Sequence, residues 1–179
     1  MRAVLDTCVL FPTVMRAMLL GAAELGHYRP LWSGRILEEW QRAAVKLGVE
    51  GQAQARAEIA LLRAQWPKSE LPPAPGLEAR LWLPDPADIH VLATAVSGSA
   101  DAIITLNARD FPRRELSEQG LERIDPDRFL YGFWLADPAG MQAVGARVLD
   151  EANRLSGDRW TMRGLLKKAR LPKLGKALG

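Results

Sequence analysis

The sequence predicts an α/β fold, a central and mainly parallel sheet covered by helices, followed by a C-terminal helical extension. Three observations carry this. Short apolar runs alternate with helical periodicity through the first 135 residues. The first run, Ala3-Val4-Leu5, stops on an acid, Asp6, ahead of a helix-blocking Pro12. From about Ala136 the strand signals end and only helical periodicity continues. These observations place one domain at residues 1–135 and a helical extension with a basic tail at 136–179.

The elements follow in order. Ala3–Asp6 reads as a strand and Thr13–Leu25 as a helix that opens after Pro12. "YRPLWS" supplies a second strand ending near Ser33. A helix runs over Gly34–Leu47, with Ser33 as its N-cap and Gly48 as its stop. "EGQAQARAEIALLRAQW" is a further helix closed by Pro67, and "PKSELPPAPG" is a Pro-rich loop. "PDPADIHVLATAVSG" is a helix with Asp85 as N-cap, Pro86 in first position and Gly98 at its end. "ADAIITLN" is a third strand ending near Thr105, and "LERID" a fourth. "DPAGMQAVGARVLDEANRLSG" is an amphipathic helix, and two short helical turns meeting at Pro172 complete the chain.

Composition narrows the function classes. The single cysteine, Cys8, excludes an internal disulfide framework and fits a reducing compartment. No signal peptide is expected, and no uncharged stretch approaches the roughly 18 residues of a membrane span, so the expectation is a cytoplasmic protein with no membrane contact. The formal charge of +3 is unevenly distributed. Met162–Gly179 holds six basic residues and no acid, which leaves −3 on residues 1–161. Such a tail is either a solvated helical face or a contact for an anionic partner such as nucleic acid. Lys167, Lys168 and Lys173 are the candidate RNA contacts.

Several acids fall at positions that their element does not require. On the Gly34–Leu47 helix, an apolar stripe is centred on Ile36, Trp40, Ala43 and Leu47. Glu39 lies about 90° from that centre and flanks a cleft, whereas Glu38 points to solvent. On the Pro86–Ser97 helix, Asp88 lies about 80° from a stripe of Ile89, Leu92, Ala93 and Val96. His90 points away from that stripe. Thr105, Asn107 and Asp110 follow the third strand, at the sheet edge that presents Asp6. Ligands bind at that edge of parallel sheets. Asp101, ahead of the strand, reads as a turn residue. Asp6, Glu39, Asp88, Asn107 and Asp110 therefore converge as candidate catalytic residues. Clustered carboxylates repel unless a cation neutralises them. Oxygen-only donors select Mg2+ or Mn2+, which suits metal-assisted phosphodiester hydrolysis.

The motifs "LDTCVLFP", "ILEEW", "LPDPADIHVLATAV" and "ADAIITLNARDFP" resemble those of PIN-domain nucleases, and most closely those of VapC-like toxins of bacterial toxin–antitoxin pairs with a helical C-terminal extension. The resemblance implies a PIN-like α/β/α sandwich and an endoribonuclease restrained by a cognate antitoxin protein. It implies metal binding by Asp6, Asp88 and Asn107 or Asp110, a catalytic Glu39, and a supporting Thr105. Asn107 stands where many relatives carry a fourth acid, so one tightly held ion is expected. The resemblance also implies a homodimer through helices near the N-terminus, for which Met15, Met18, Leu19 and Ala22 offer a face unless that stripe is core.

Other classes fit less well. A haloacid-dehalogenase-type phosphatase needs a second Asp two residues after the first, where this chain has Cys8. Cys8 has no histidine in a recognisable pairing, and "GAAELGH" lacks the Lys-Ser/Thr of a phosphate-binding loop. The rival reading is a catalytically weak or inactive PIN-fold module that binds RNA or protein.

Overall fold

Arg2–Leu5 form β1, whose last three residues are completely buried. In the computed structural model, which describes residues 1–179, β1 is the middle strand of a five-stranded, all-parallel sheet. The strands are β1, β2 (Arg29–Ser33), β3 (Glu70–Leu71), β4 (Ala102–Ile104) and β5 (Glu122–Ile124), in the spatial order β3-β2-β1-β4-β5. The helices are α1 (Thr7–Leu10), α2 (Thr13–Glu24), α3 (Gly34–Ala43), α4 (Gly48–Gln65), α5 (Pro75–Glu78) and α6 (Ile89–Ser97). They continue as α7 (Arg113–Glu118), α8 (Pro126–Ala136), α9 (Pro138–Ser156), α10 (Met162–Lys168) and α11 (Pro172–Leu178). The expected α/β class and the C-terminal helices are both present.

The strand order decides where a ligand can bind. From β1 the chain steps outward to β2 and β3, then returns to place β4 on the other side of β1. The order thus reverses between β1 and β4, and in parallel sheets the crevice beyond the carboxyl ends at such a point is the ligand site. Leu5 pairs with Ile104, and the Asp6 amide donates to the Ile104 carbonyl at 3.2 Å. The ends of both strands are therefore level, and Asp6 and Thr105 emerge side by side.

The differences from the sequence reading are local. The Pro-rich loop contains β3 and α5; two paired residues between prolines carry no periodicity to read. Asp6 is the N-cap of the one-turn α1, which fits between the strand and Pro12. The Gly34–Leu47 helix changes to a 3-10 turn over Ala44–Leu47, so Leu47 leaves the buried stripe and is exposed. The Pro86–Ser97 helix also opens as a 3-10 turn, Pro86–Asp88, before α6 begins. His90 to Ala95 are all buried, so α6 is covered on every side and has no single stripe. That corrects His90, which faces inward.

The chain forms two compact units, Met1–Phe11 with Arg29–Arg123, and Pro12–Tyr28 with Ile124–Gly179. The expected boundary at residue 135 falls within the second of these. In that second unit, Met15, Met18, Leu19 and Ala22 of α2 are fully buried. The stripe offered as a dimer face is therefore core, satisfied within the chain. Leu165, Leu166, Leu171, Leu174 and Leu178 are buried too, so the tail is a packed part of its unit. The buried Asp127 accepts from the Lys173 and Leu174 amides, at 2.8 and 2.9 Å, and fixes the start of α11.

Gly21 of α2 faces Val144 of α9 with no room for a β-carbon. Gly21→Ala should destabilise the protein by about 1–3 kcal/mol through overpacking. Adding Val144→Ala should return part of that loss in a denaturant titration. Equal stability of Gly21→Ala and wild type would show that α2 and α9 are not closely packed.

Candidate active site

Asp6 is buried at the carboxyl end of β1 with both oxygens held. Oδ1 accepts from the Thr7 amide at 2.7 Å. Oδ2 accepts from the Thr105 hydroxyl at 2.7 Å and from Cys8 Sγ at 3.0 Å. The acid at the strand's end is thus a helix cap tied to the neighbouring strand, and its orientation is fixed before any ligand arrives. Thr105 passes the link onward, because its Oγ1 accepts from the Asn107 amide at 3.0 Å. Cys8 is a packing and hydrogen-bonding residue: burial, with the Asp6 charge beside it, pushes its thiol up to about 12. A thiol at that value is not a nucleophile.

Glu39 reaches the same edge from α3. Its side chain is 28% exposed and that of Glu38 is 63%, the latter paired with Arg42 in solvent. The helical-phase argument therefore places both correctly. The Thr7 hydroxyl donates to Glu39 Oε2 at 2.8 Å, and His90 Nε2 lies 2.7 Å from Oε1. That His90 contact is close but off the line of a straight hydrogen bond, and Nδ1 has no partner. Burial raises the Glu39 pKa, yet His90, Thr7 and Arg35 together outweigh it and hold the carboxyl below its ordinary value. His90 was not legible as a site residue because α6 is buried on the side away from its apolar stripe as well.

Asp88, Asn107 and Asp110 form the third part of the site. Asn107 Nδ2 donates to Asp110 Oδ2 at 2.7 Å and lies 3.4 Å from Asp88 Oδ2. Its amide thereby bridges two carboxylates that would otherwise repel. Asp85 joins them: carboxylate oxygens of Asp85, Asp88 and Asp110 lie within 4.8 Å of one another. Sequence reasoning gave Asp85 only a capping role, and it does accept from the Ala87 amide at 2.9 Å. The signal for more was present, since Asp85 lies three residues before Asp88. Burial, then the charges of Asp6, Asp85, Asp110 and Glu39, raise the Asp88 carboxyl to about 6. Five acids are thus coupled at one edge.

The donor set fits a hard divalent cation. It is made of oxygens, it is crowded with like charge, and burial and that crowding together raise the proton affinity of its central carboxyl. Asp101 lies apart, accepting from the Arg2 amide at 2.7 Å near the opposite end of the sheet. Lys167, Lys168 and Lys173 are exposed on α10 and α11, in the second unit.

In comparison with known proteins, a family model described as a PIN domain matches residues 2–109, more than half of the chain. No curated protein and no solved structure matches the chain.

Asp88 also sets a pH dependence. A carboxyl raised from 3.8 to about 6 binds its proton more tightly in the folded state. The Asp88 contribution to the stability of the metal-free protein therefore falls as pH rises from about 4 to about 6, and is level above that. In chelator, Asp88→Asn should melt higher than wild type at pH 7, with the gap closing below pH 4. A variant that melts at or below wild type at pH 7 would show that the charges are not in conflict.

Proposed function

The chain belongs to the PIN-domain family, and from that premise we propose that it is an Mg2+- or Mn2+-dependent endoribonuclease hydrolysing RNA phosphodiester bonds. The observation that carries this is the gathering of Asp6, Glu39, Asp85, Asp88 and Asp110 at the point where the strand order reverses. PIN domains suggest nuclease-type function, and a cluster of acids is compatible with metal binding.

Asp88 and Asp110, with Asp6, Asp85 and the Asn107 carbonyl, would hold the cation. When bound, it supplies Lewis acidity at the phosphate and neutralises the carboxylates. The chain's own residues do the rest. Thr7 and Thr105 keep Asp6 in one orientation, so little ordering is needed when substrate binds. Glu39 stays ionised at neutral pH because His90, Thr7 and Arg35 favour its charge over the cost of burial. An ionised, half-buried carboxylate at the rim of the site is suited to take a proton from the attacking water. Asn107 contributes an amide where a further acid would add charge, which supports one tightly held ion over two.

We further assign the chain the toxin role of a toxin–antitoxin pair. The motif resemblance supports it. Expression alone should arrest growth, and co-expression of the adjacent gene's product should relieve the arrest. Growth unaffected by the wild-type protein would remove the toxin role and leave the nuclease reading in place.

The nuclease reading is tested with labelled RNA. Wild type should cleave in Mn2+ and not in chelator. Glu39→Gln should lower the rate by about 100-fold or more, the scale of a lost general base, while Glu38→Gln should leave it nearly unchanged. Equal losses in both variants would show that Glu39 has no special part. No cleavage by wild type on any RNA, with the metal bound, would favour the binding-module reading.

A further inference from the structure

We propose that the face formed by α8, α10 and α11 is a binding surface for single-stranded RNA, on which a base stacks against Trp134 while lysines hold the phosphates. Buried leucines take the inner side of α10 and α11, so Arg163, Lys167, Lys168, Arg170, Lys173 and Lys176 are all exposed. None of the six forms an ion pair with a carboxylate, although exposed arginines elsewhere in the same unit do, as in Arg147–Glu24 and Arg154–Glu151. Helix dipoles account for Lys167, Lys168 and Lys176, which sit in last turns. They do not account for Arg163 or Lys173, which sit in first turns, where a cation is disfavoured. Asp127 meets Lys173 only at its backbone amide, and the Lys173 ammonium lies instead over the Tyr131 ring.

The aromatic groups turn a charged face into a selective one. Tyr131 and Trp134, three residues apart on α8, stack with centroids 5.4 Å apart and a 27° tilt. The Lys173 ammonium lies 4.0 Å from the Tyr131 centroid, and that of Lys168 4.6 Å from the Trp160 centroid. Tyr131 is thus engaged by Trp134 and Lys173, and the partly exposed Trp134 is the ring left to receive a base. Exposed cations without carboxylate partners, in the same unit as a partly exposed indole, are what an unpaired strand requires: charge for its backbone and a flat face for a base. A duplex, with its bases already stacked, gains only from the charge.

The inference rests on the RNA reading above, but it is tested without cleavage, so the two can fail separately. Full-length protein in chelator is titrated into a short fluorescein-labelled single strand, and into the matching duplex, at several salt concentrations. Wild type should prefer the single strand. Lys167→Glu, Lys168→Glu and Lys173→Glu together should weaken binding at least 10-fold and flatten the salt slope by about 2, at roughly 0.7 per lost contact. Trp134→Leu should weaken single-strand binding about 5-fold or more, leave the salt slope unchanged, and leave duplex binding unchanged. Trp134→Phe keeps a stacking face and should stay close to wild type, which separates stacking from loss of fold. Melting temperatures are measured alongside. Equal wild-type affinity for strand and duplex, or wild-type binding by the folded charge-reversal or Trp134→Leu protein, overturns the proposal.

Discussion

Everything at the candidate site depends on two parallel strands ending level with each other. Leu5 and Ile104 are register partners, so the residues that follow them, Asp6 and Thr105, must meet. Their hydrogen bond at 2.7 Å uses one Asp6 oxygen, and the Thr7 amide uses the other. A side chain in that position is as rigid as the sheet. Thr7 then reaches Glu39 on α3, and Thr105 reaches Asn107 beyond β4. Two threonines thus carry the order of the sheet outward to acids that lie on helices and loops.

The same convergence creates an electrostatic debt in the free protein. Native carboxylates are seldom gathered so closely without a counter-charge, because each raises the proton affinity of the others. Asp88 shows the strain, and Asn107 relieves part of it by donating toward two acids at once. Glu39 escapes it, since His90 and Arg35 lie on its side of the site. One edge of the sheet therefore holds a carboxyl whose proton affinity is raised by burial and neighbouring charge, and a carboxylate whose ionised form is favoured. That division of labour suits hydrolysis assisted by a metal.

Much of this was legible in the residues. The alternation of apolar runs and helical segments gave the parallel sheet, and the strand-end rule gave Asp6, Thr105, Asn107 and Asp110. The helical wheel separated Glu39 from Glu38 because α3 is a regular helix along the relevant turn. It failed for His90, because α6 is buried all round and the side opposite its apolar stripe faces inward too. Asp85 was hidden by its capping role, and β3 by its length of two residues. The apolar stripe of α2 was readable, but a stripe does not say whether its partner is another chain or, as here, a distant helix of the same one. Such partners are set by tertiary packing, which local periodicity does not contain.

We propose that the acids at the strand ends form one cation site organised by Asp6. Calorimetric titration of Mn2+ into metal-free protein tests it most directly, with wild type beside Asp6→Asn at matched stability. Wild type should bind one ion saturably, and the variant should show a large loss of affinity. Equal binding by both proteins would contradict it, because the ion would then be held without the residue on which the site is built.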